Sequence, residues 1–291
     1  MKKRLHQLLP LLLLFSSCDK VKNPYLKTVN NGNDTTITKV RKVLVEDYTG
    51  HFCGNCPSAA ITLQQLRTQY GSKLVTMGVH VGFYAEPNPL HSLPSCAPPG
   101  SFTTDFRTTA GNNYNTQFGN DGIGLPNGMV NRVTVSGSNV IPNSNWGTVV
   151  AGIINTPPDA YMQITTTYSS GMLNTTVKSQ FLNPLSGTYN LVVLLTQDSI
   201  VDWQEDYTIT PNSCVQNYVH RHVLRGAING AGSGWGDSLT TNPIAGTGFL
   251  TKTYSSYTLN PAWNIAQCYV VAFIYNTSTY EVVQAEERKI Q

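Results

Sequence analysis

Two cysteines, Cys53 and Cys56, stand three positions apart in the stretch "VEDYTGHFCGNCPSAA" (residues 45–60). Thiols at that spacing can form a redox disulfide, supply half of a metal site, or act as an inert staple. The flanking pattern points to the first. A β-prone run, "RKVLVEDYT" (41–49), precedes the pair, and "PSAAITLQQLRTQYG" (57–71) follows with Ala60, Leu63, Leu66 and Tyr70 at helical spacing. At a helix start, unpaired backbone N–H groups and the helix dipole favour thiolate over thiol. Cys53 is therefore expected to be the exposed, acidic nucleophile and Cys56, one turn on, the thiol that resolves a mixed disulfide. Gly54 and Asn55 supply a tight turn, and His51 would support the thiolate when protonated. Zinc would need four ligands. His51, His80, His91 or Cys96 would have to converge on the pair, without the second paired motif that usually marks such a site. The inert disulfide stays open as the alternative.

The elements around the pair would position it. Pro57 suits a first helical turn and Gly71 a stop, and "KLVTMGVHVGF" (73–83) is a second apolar strand. Strand, helix and strand make a right-handed βαβ unit with the cysteines at the carboxyl end of its first strand, where α/β folds place their chemistry. From about 85 to 124 the chain turns to Pro, Gly, Asn and Thr and reads as an irregular insertion. A turn and hairpin follow in "LPNGMVNRVTVSG" (125–137), then a helix in "NSNWGTVVAGIINT" (143–156), capped near Asn143 or Ser144 and ended by Pro157 and Pro158. Beyond them, Thr/Tyr/Val-rich segments broken by Gly, Asn, Pro and Ser imply an antiparallel sandwich, with Asn276 to Thr279 turning a terminal hairpin.

The N-terminus has its own logic. "MKKRLHQLLPLLLLFSSC" joins a basic start to a short leucine-rich core and small residues before Cys18. It reads as an export signal over residues 1–17, too short to span a bilayer, with Cys18 as the lipidated first residue and residues 18–38 as a polar tether. Loss of Lys2, Lys3 and Arg4 with the signal brings the 19 basic residues down to match the 16 acidic ones. A neutral chain without a Lys/Arg cluster offers no footprint for nucleic acid. The export compartment oxidises thiols. Cys53 with Cys56 and Cys214 with Cys268 is the simplest pairing, leaving Cys96 free or exchanging with the first pair.

Other features carry less. "HRH" puts His220 and His222 on one strand face, a weak chelate signal against two ordinary sheet-edge histidines. Trp203, Trp235 and Trp263 suit core anchors or a ligand surface equally. "GAGSGWG" (230–236) lacks the helix a phosphate site requires and reads as a loop.

Strand, C-x-x-C, helix, strand and a later "GIGLPNGMV" resemble the thioredoxin fold. That resemblance implies a cis-proline at Pro126, exposing the backbone of Leu125 to an extended substrate. It also implies a buried strand carboxylate that assists proton transfer, at Glu46 or Asp47, with Glu46 the first choice. Phe52 departs from the family's tryptophan. Over nearly the whole chain, the signal, "VEDYTGHFCGNCP", "LPNG", "YVHRHVLRG" and "VVAFIYNTSTYEVVQA" are similar to the Omp28-related outer-membrane lipoproteins of the Bacteroidetes. The likeness implies lipid attachment to the outer membrane, facing the periplasm or the surface. It implies an α/β thioredoxin-like domain over 39–157 followed by an all-β immunoglobulin-like sandwich over 158–291, and no established reaction. The expected activity is thiol–disulfide exchange with exported or envelope proteins, needing no cofactor. The rival reading is a binding or adhesion scaffold.

Overall fold

The computed structural model describes residues 38–211, 213–246 and 248–291. The signal segment, the lipidation candidate Cys18 and the tether up to residue 37 lie outside the described residues. Residues 39–291 form one compact, mostly β unit with several helices.

Its first half runs β1 (Val43–Thr49), α1 (Cys56–Tyr70), β2 (Leu74–His80), α2 (Thr109–Phe118), α3 (Asn120–Ile123), β3 (Asn127–Val130) and α4 (Asn143–Ile153). β1 and β2 pair in parallel from Val43↔Leu74 to Thr49↔His80, with α1 as the crossover, as the sequence pattern predicts. Both strands are buried on both faces, which is why they read as near-continuous apolar runs. α1 packs Ala59, Leu63 and Leu66 onto Val43 and Val45, and α4 adds Trp146 and Val150. β3 pairs antiparallel with β1, Tyr48 opposite Asn127, so Pro126 sits beside the carboxyl end of β1.

The expected insertion is not irregular throughout. Residues 86–108 are largely coil, but α2 follows, capped by Thr108, whose side chain accepts from the Gly111 N–H, and closed by Gly119 in the left-handed region. α4 begins after Pro142 without the expected side-chain cap.

The second half is β4 (Ala160–Ser169), β5 (Met172–Phe181), β6 (Thr188–Gln197), β7 (Ile200–Glu205), β8 (Cys214–His220), β9 (Val223–Ala227), β10 (Asp237–Thr241), β11 (Leu250–Thr258), β12 (Cys268–Asn276) and β13 (Val282–Lys289). Three sheets result among the described residues. The largest runs β13-β12-β6-β9-β2-β1-β3, with β10 on β6; β11-β5-β4 and the β7-β8 hairpin are separate. The large sheet therefore mixes strands from both sides of residue 157. The junction is narrow: β9 meets β2 at Gly78↔Val223, where the Gly78 N–H donates to the His222 carbonyl at 2.9 Å. A Cβ at Gly78 would stand only 3.2 Å from the Arg221 carbonyl oxygen, so the crossing favours a residue without one.

β6 and β12 lie between two cores. Val192, Leu194, Val271 and Phe273 face Leu44, Tyr48 and Met77 of the first half, while Val193, Leu195, Val270 and Ala272 face Met162, Val177 and Phe181 of the small sheet. The terminal hairpin expected at Asn276 to Thr279 is present, the Asn276 side-chain oxygen accepting from the Ser278 and Thr279 N–H groups.

Candidate functional site

Cys53 and Cys56 form a disulfide with a Cα–Cα distance of 5.3 Å. Cys53 lies in the loop after β1 and Cys56 is the first residue of α1. The expectation of an exposed Cys53 is corrected: Cys53 is 4 % exposed and Cys56 2 %. The cover comes from β7 and the residues after it. The Gln204 amide donates to the Gly50 and Cys53 carbonyls at 3.3 and 3.1 Å. The Glu205 N–H donates to the His51 carbonyl at 2.8 Å and the Tyr207 N–H to the Gly54 carbonyl at 2.9 Å. The Tyr207 ring occupies the space where a Gly54 Cβ would be, so glycine between the cysteines accommodates the cover.

Below the loop, His51 and Phe52 pack with Phe102, Phe52 stacking on it at 4.4 Å between ring centroids. Burial lowers the His51 pKa to about 4. The imidazole is neutral near pH 7, so it gives a thiolate no positive charge.

Asp47 lines a cavity with Cys56, and the choice of Glu46 is corrected. β1 alternates faces: Glu46 shares the side of Leu44 and Tyr48, whereas Asp47 turns to α1 with Val43 and Val45. Glu46 is spent in a fully buried ion pair, its Oε1 and Oε2 accepting from Arg132 Nη2 and Nε at 2.7 and 2.8 Å. The guanidinium stacks over Tyr114 at 4.4 Å and Phe273 at 5.0 Å. Glu46 thus locks the core rather than serving the cysteines.

Asp47, Cys56, Thr76, His80, Gln204 and Tyr218 help line a cavity of about 280 Å³ between α1 and the end of β8. Asp47 is 4 % and His80 3 % exposed. Asp47 Oδ1 and both ring nitrogens of His80 hydrogen-bond to nothing in the protein. Burial raises the Asp47 pKa well above its ordinary value and lowers that of His80 well below its own, with neighbouring His220 adding to the fall. Burial thus favours the uncharged form of both groups. Burial likewise pushes Tyr218 up to about 12.

Leu125–Pro126 is a cis peptide, as the thioredoxin resemblance implies. The second expected disulfide is corrected: Cys214 pairs with Cys96, and Cys268 is free and fully buried. Cys268 faces the core between β6 and the small sheet, its thiol pushed up to about 11 by burial. Cys214 instead begins β8 at the hairpin end that meets the coil after β2. With Cys96 in that bond, the zinc set considered above lacks a member. His220 and His222 do not share a face, because β8 ends at His220 and His222 adopts a left-handed φ of 48°. His220 sits at 3.2 Å from the Trp203 carbonyl, while His222 approaches Glu287 and Asp198. No group of three or more His, Cys, Asp or Glu is arranged for a metal among the described residues. Trp235 packs on Tyr114 and Trp263 lies under Arg225, so both act as anchors. The cover by Gln204 and Tyr207 and the Cys96–Cys214 bond are the parts that sequence reasoning missed.

Residues 111–291 match the family described as outer membrane protein Omp28. The chain belongs to that family. The match starts after the cysteine pair, so the Omp28 segment runs from within α2 to β13 and leaves the C-x-x-C outside it. No helix among the described residues of this Omp28-family chain is long and apolar enough to cross a membrane. Among solved structures, HBP35 of Porphyromonas gingivalis is similar at 16 % identity and a TM-score of 0.56, over 87 % of this chain and 76 % of that one. A domain of the outer membrane lipoprotein Omp28 from the same organism is 22 % identical, with a TM-score of 0.30, over 47 % of this chain and 91 % of that one. A comparison with curated proteins gives no match.

Proposed function

We propose that this Omp28-family protein is a lipoprotein anchored through Cys18, and that Cys53–Cys56 is a thiol–disulfide exchange centre acting on exported or envelope proteins. A thioredoxin-like half carries the centre and an immunoglobulin-like β half supplies its cover. The reading rests chiefly on Asp47. An inert staple has no use for a buried, unpartnered carboxyl, which costs free energy to keep, whereas exchange needs a buried acid–base group that takes and returns the Cys56 proton. The place of Pro126 beside the end of β1 supports a site for an extended substrate along the Leu125 backbone. In this reading Cys53 attacks once Gln204 and Tyr207 move aside, Cys56 resolves, and no cofactor takes part.

The burial of Cys53 favours a second reading, an envelope binding scaffold in which the disulfide is structural. Replacing Cys56 with Ser removes the resolving thiol and separates the two. Non-reducing gels of cells carrying Cys56→Ser should then show reductant-sensitive mixed disulfides through Cys53. If Cys53 captures no envelope protein, the scaffold reading stands.

A further inference from the structure

The two sides of the disulfide differ. On the Cys53 side, the Gln204 amide and the Tyr207 ring cover the loop in this conformation. On the other side, Cys56 borders the cavity, whose rim is formed in part by Ile61 on α1, 58 % exposed, and Val219 on β8, 37 % exposed. A volume of about 280 Å³ holds on the order of ten waters or one small organic molecule, and is too small for a folded partner. Leu63 and Ala60 give it an apolar wall, while Asp47 and His80, with Asp47 Oδ1 and both His80 ring nitrogens buried and unpaired, line the same cavity as Cys56.

We propose that the cavity binds a low-molecular-mass thiol, which reduces the pair by attacking Cys56 rather than Cys53. The matching chemistry is a short thiol carrying an amine or hydroxyl, its sulfur towards Cys56 and its polar end towards His80 and Asp47. The thiolate attacks Cys56 Sγ, the Sγ–Sγ bond breaks, and Cys53 leaves as thiolate and is protonated from water. A second small thiolate then attacks the small molecule's own sulfur in the mixed disulfide. That releases the small disulfide and frees the Cys56 thiolate, which takes the Asp47 proton. Two small thiols are oxidised to one disulfide and the cysteine pair gains the two electrons. Access, more than thiolate fraction alone, selects which sulfur is attacked. The inference deepens the exchange reading and rests on it, making the small thiol the electron source and the protein a reductase.

The test uses full-length Cys53→Ser and Cys56→Ser chains, with modification by methyl methanethiosulfonate followed peptide by peptide. Cys56, left alone in Cys53→Ser, should react at least ~10-fold faster than Cys53 left alone in Cys56→Ser, as expected when access controls the rate. Equal rates, or a faster Cys53, overturn the proposal. Ala60→Leu narrows the cavity one helical turn along α1 from Cys56 and leaves both cysteines in place. It should slow reduction of the native disulfide by cysteamine about tenfold at unchanged urea midpoint, and an unchanged rate overturns the proposal too. These rates involve no protein partner, so they stand or fall separately from envelope-protein capture.

Discussion

Replacing Asp47 with Asn in the oxidised protein should raise stability at neutral pH and remove a pH-dependent loss that the native chain carries. Asp47 is buried without a partner and its carboxyl holds its proton far above the ordinary range. In the unfolded chain it titrates near ~3.9. Below that value both states keep the proton and the group contributes no pH dependence. As pH climbs past it, the unfolded chain releases a proton that the folded chain retains. Each pH unit then takes about 1.4 kcal/mol from the unfolding free energy, until the native carboxyl itself ionises. Asparagine has nearly the same shape and does not titrate. The stability difference between Asp47→Asn and the native chain should therefore grow from about pH 4 upwards, with a slope approaching 1.4 kcal/mol per pH unit. Urea unfolding of both proteins from pH 4 to 8 reads it directly, and the other titrating groups, His80 included, largely cancel because both proteins carry them. Parallel stability curves would refute the reasoning, since they would mean that Asp47 titrates alike in the folded and unfolded chains.

Arg132→Ala strands the Glu46 carboxylate inside the core and should cost about 3–5 kcal/mol in urea unfolding, while leaving the cysteine pair chemically intact. Opening Cys96–Cys214 with Cys96→Ser frees a loop closed across a sequence separation of 118 residues, with a stability loss of up to about 5 kcal/mol by chemical denaturation. In the same oxidised protein Cys268 should resist iodoacetamide until denaturant is added, as expected for a buried thiol pushed up to about 11. Tyr207→Ala removes the ring from Gly54 and should speed modification of Cys53 by methyl methanethiosulfonate in a Cys56→Ser background about tenfold; an unchanged rate would show that Tyr207 is not the cover.

Local pattern carried the parts of the fold that local pattern can determine. β1, α1 and β2 follow from an apolar run, a helical period and a second apolar run, and the terminal hairpin follows from two β-prone runs around Asn276. α2 is hidden in the sequence because Gly111, Asn112 and Asn113 are poor helix formers, although Thr108 and Gly119 bracket it as start and stop signals. The cysteine pair and Pro126 were legible from their setting. The carboxylate was not: Glu46 and Asp47 are adjacent, and strand parity sends one to Arg132 and the other to the cavity. The Cys96–Cys214 bond and the cover over Cys53 depend on where the β7-β8 hairpin packs. Those are long-range contacts that no local periodicity encodes. Family likeness read from the motifs agrees with the match over residues 111–291, whereas the chemistry of the cysteines, which precede that span, has to be argued from their surroundings.

The reduction potential of Cys53–Cys56 tests the central claim most directly. It is obtained by equilibrating the full chain in dithiol redox buffers and reading the pair by alkylation and mass spectrometry. An exchange centre should lie between about −270 and −120 mV, the span of known exchange proteins, and a value below about −300 mV, where structural disulfides fall, would contradict the account.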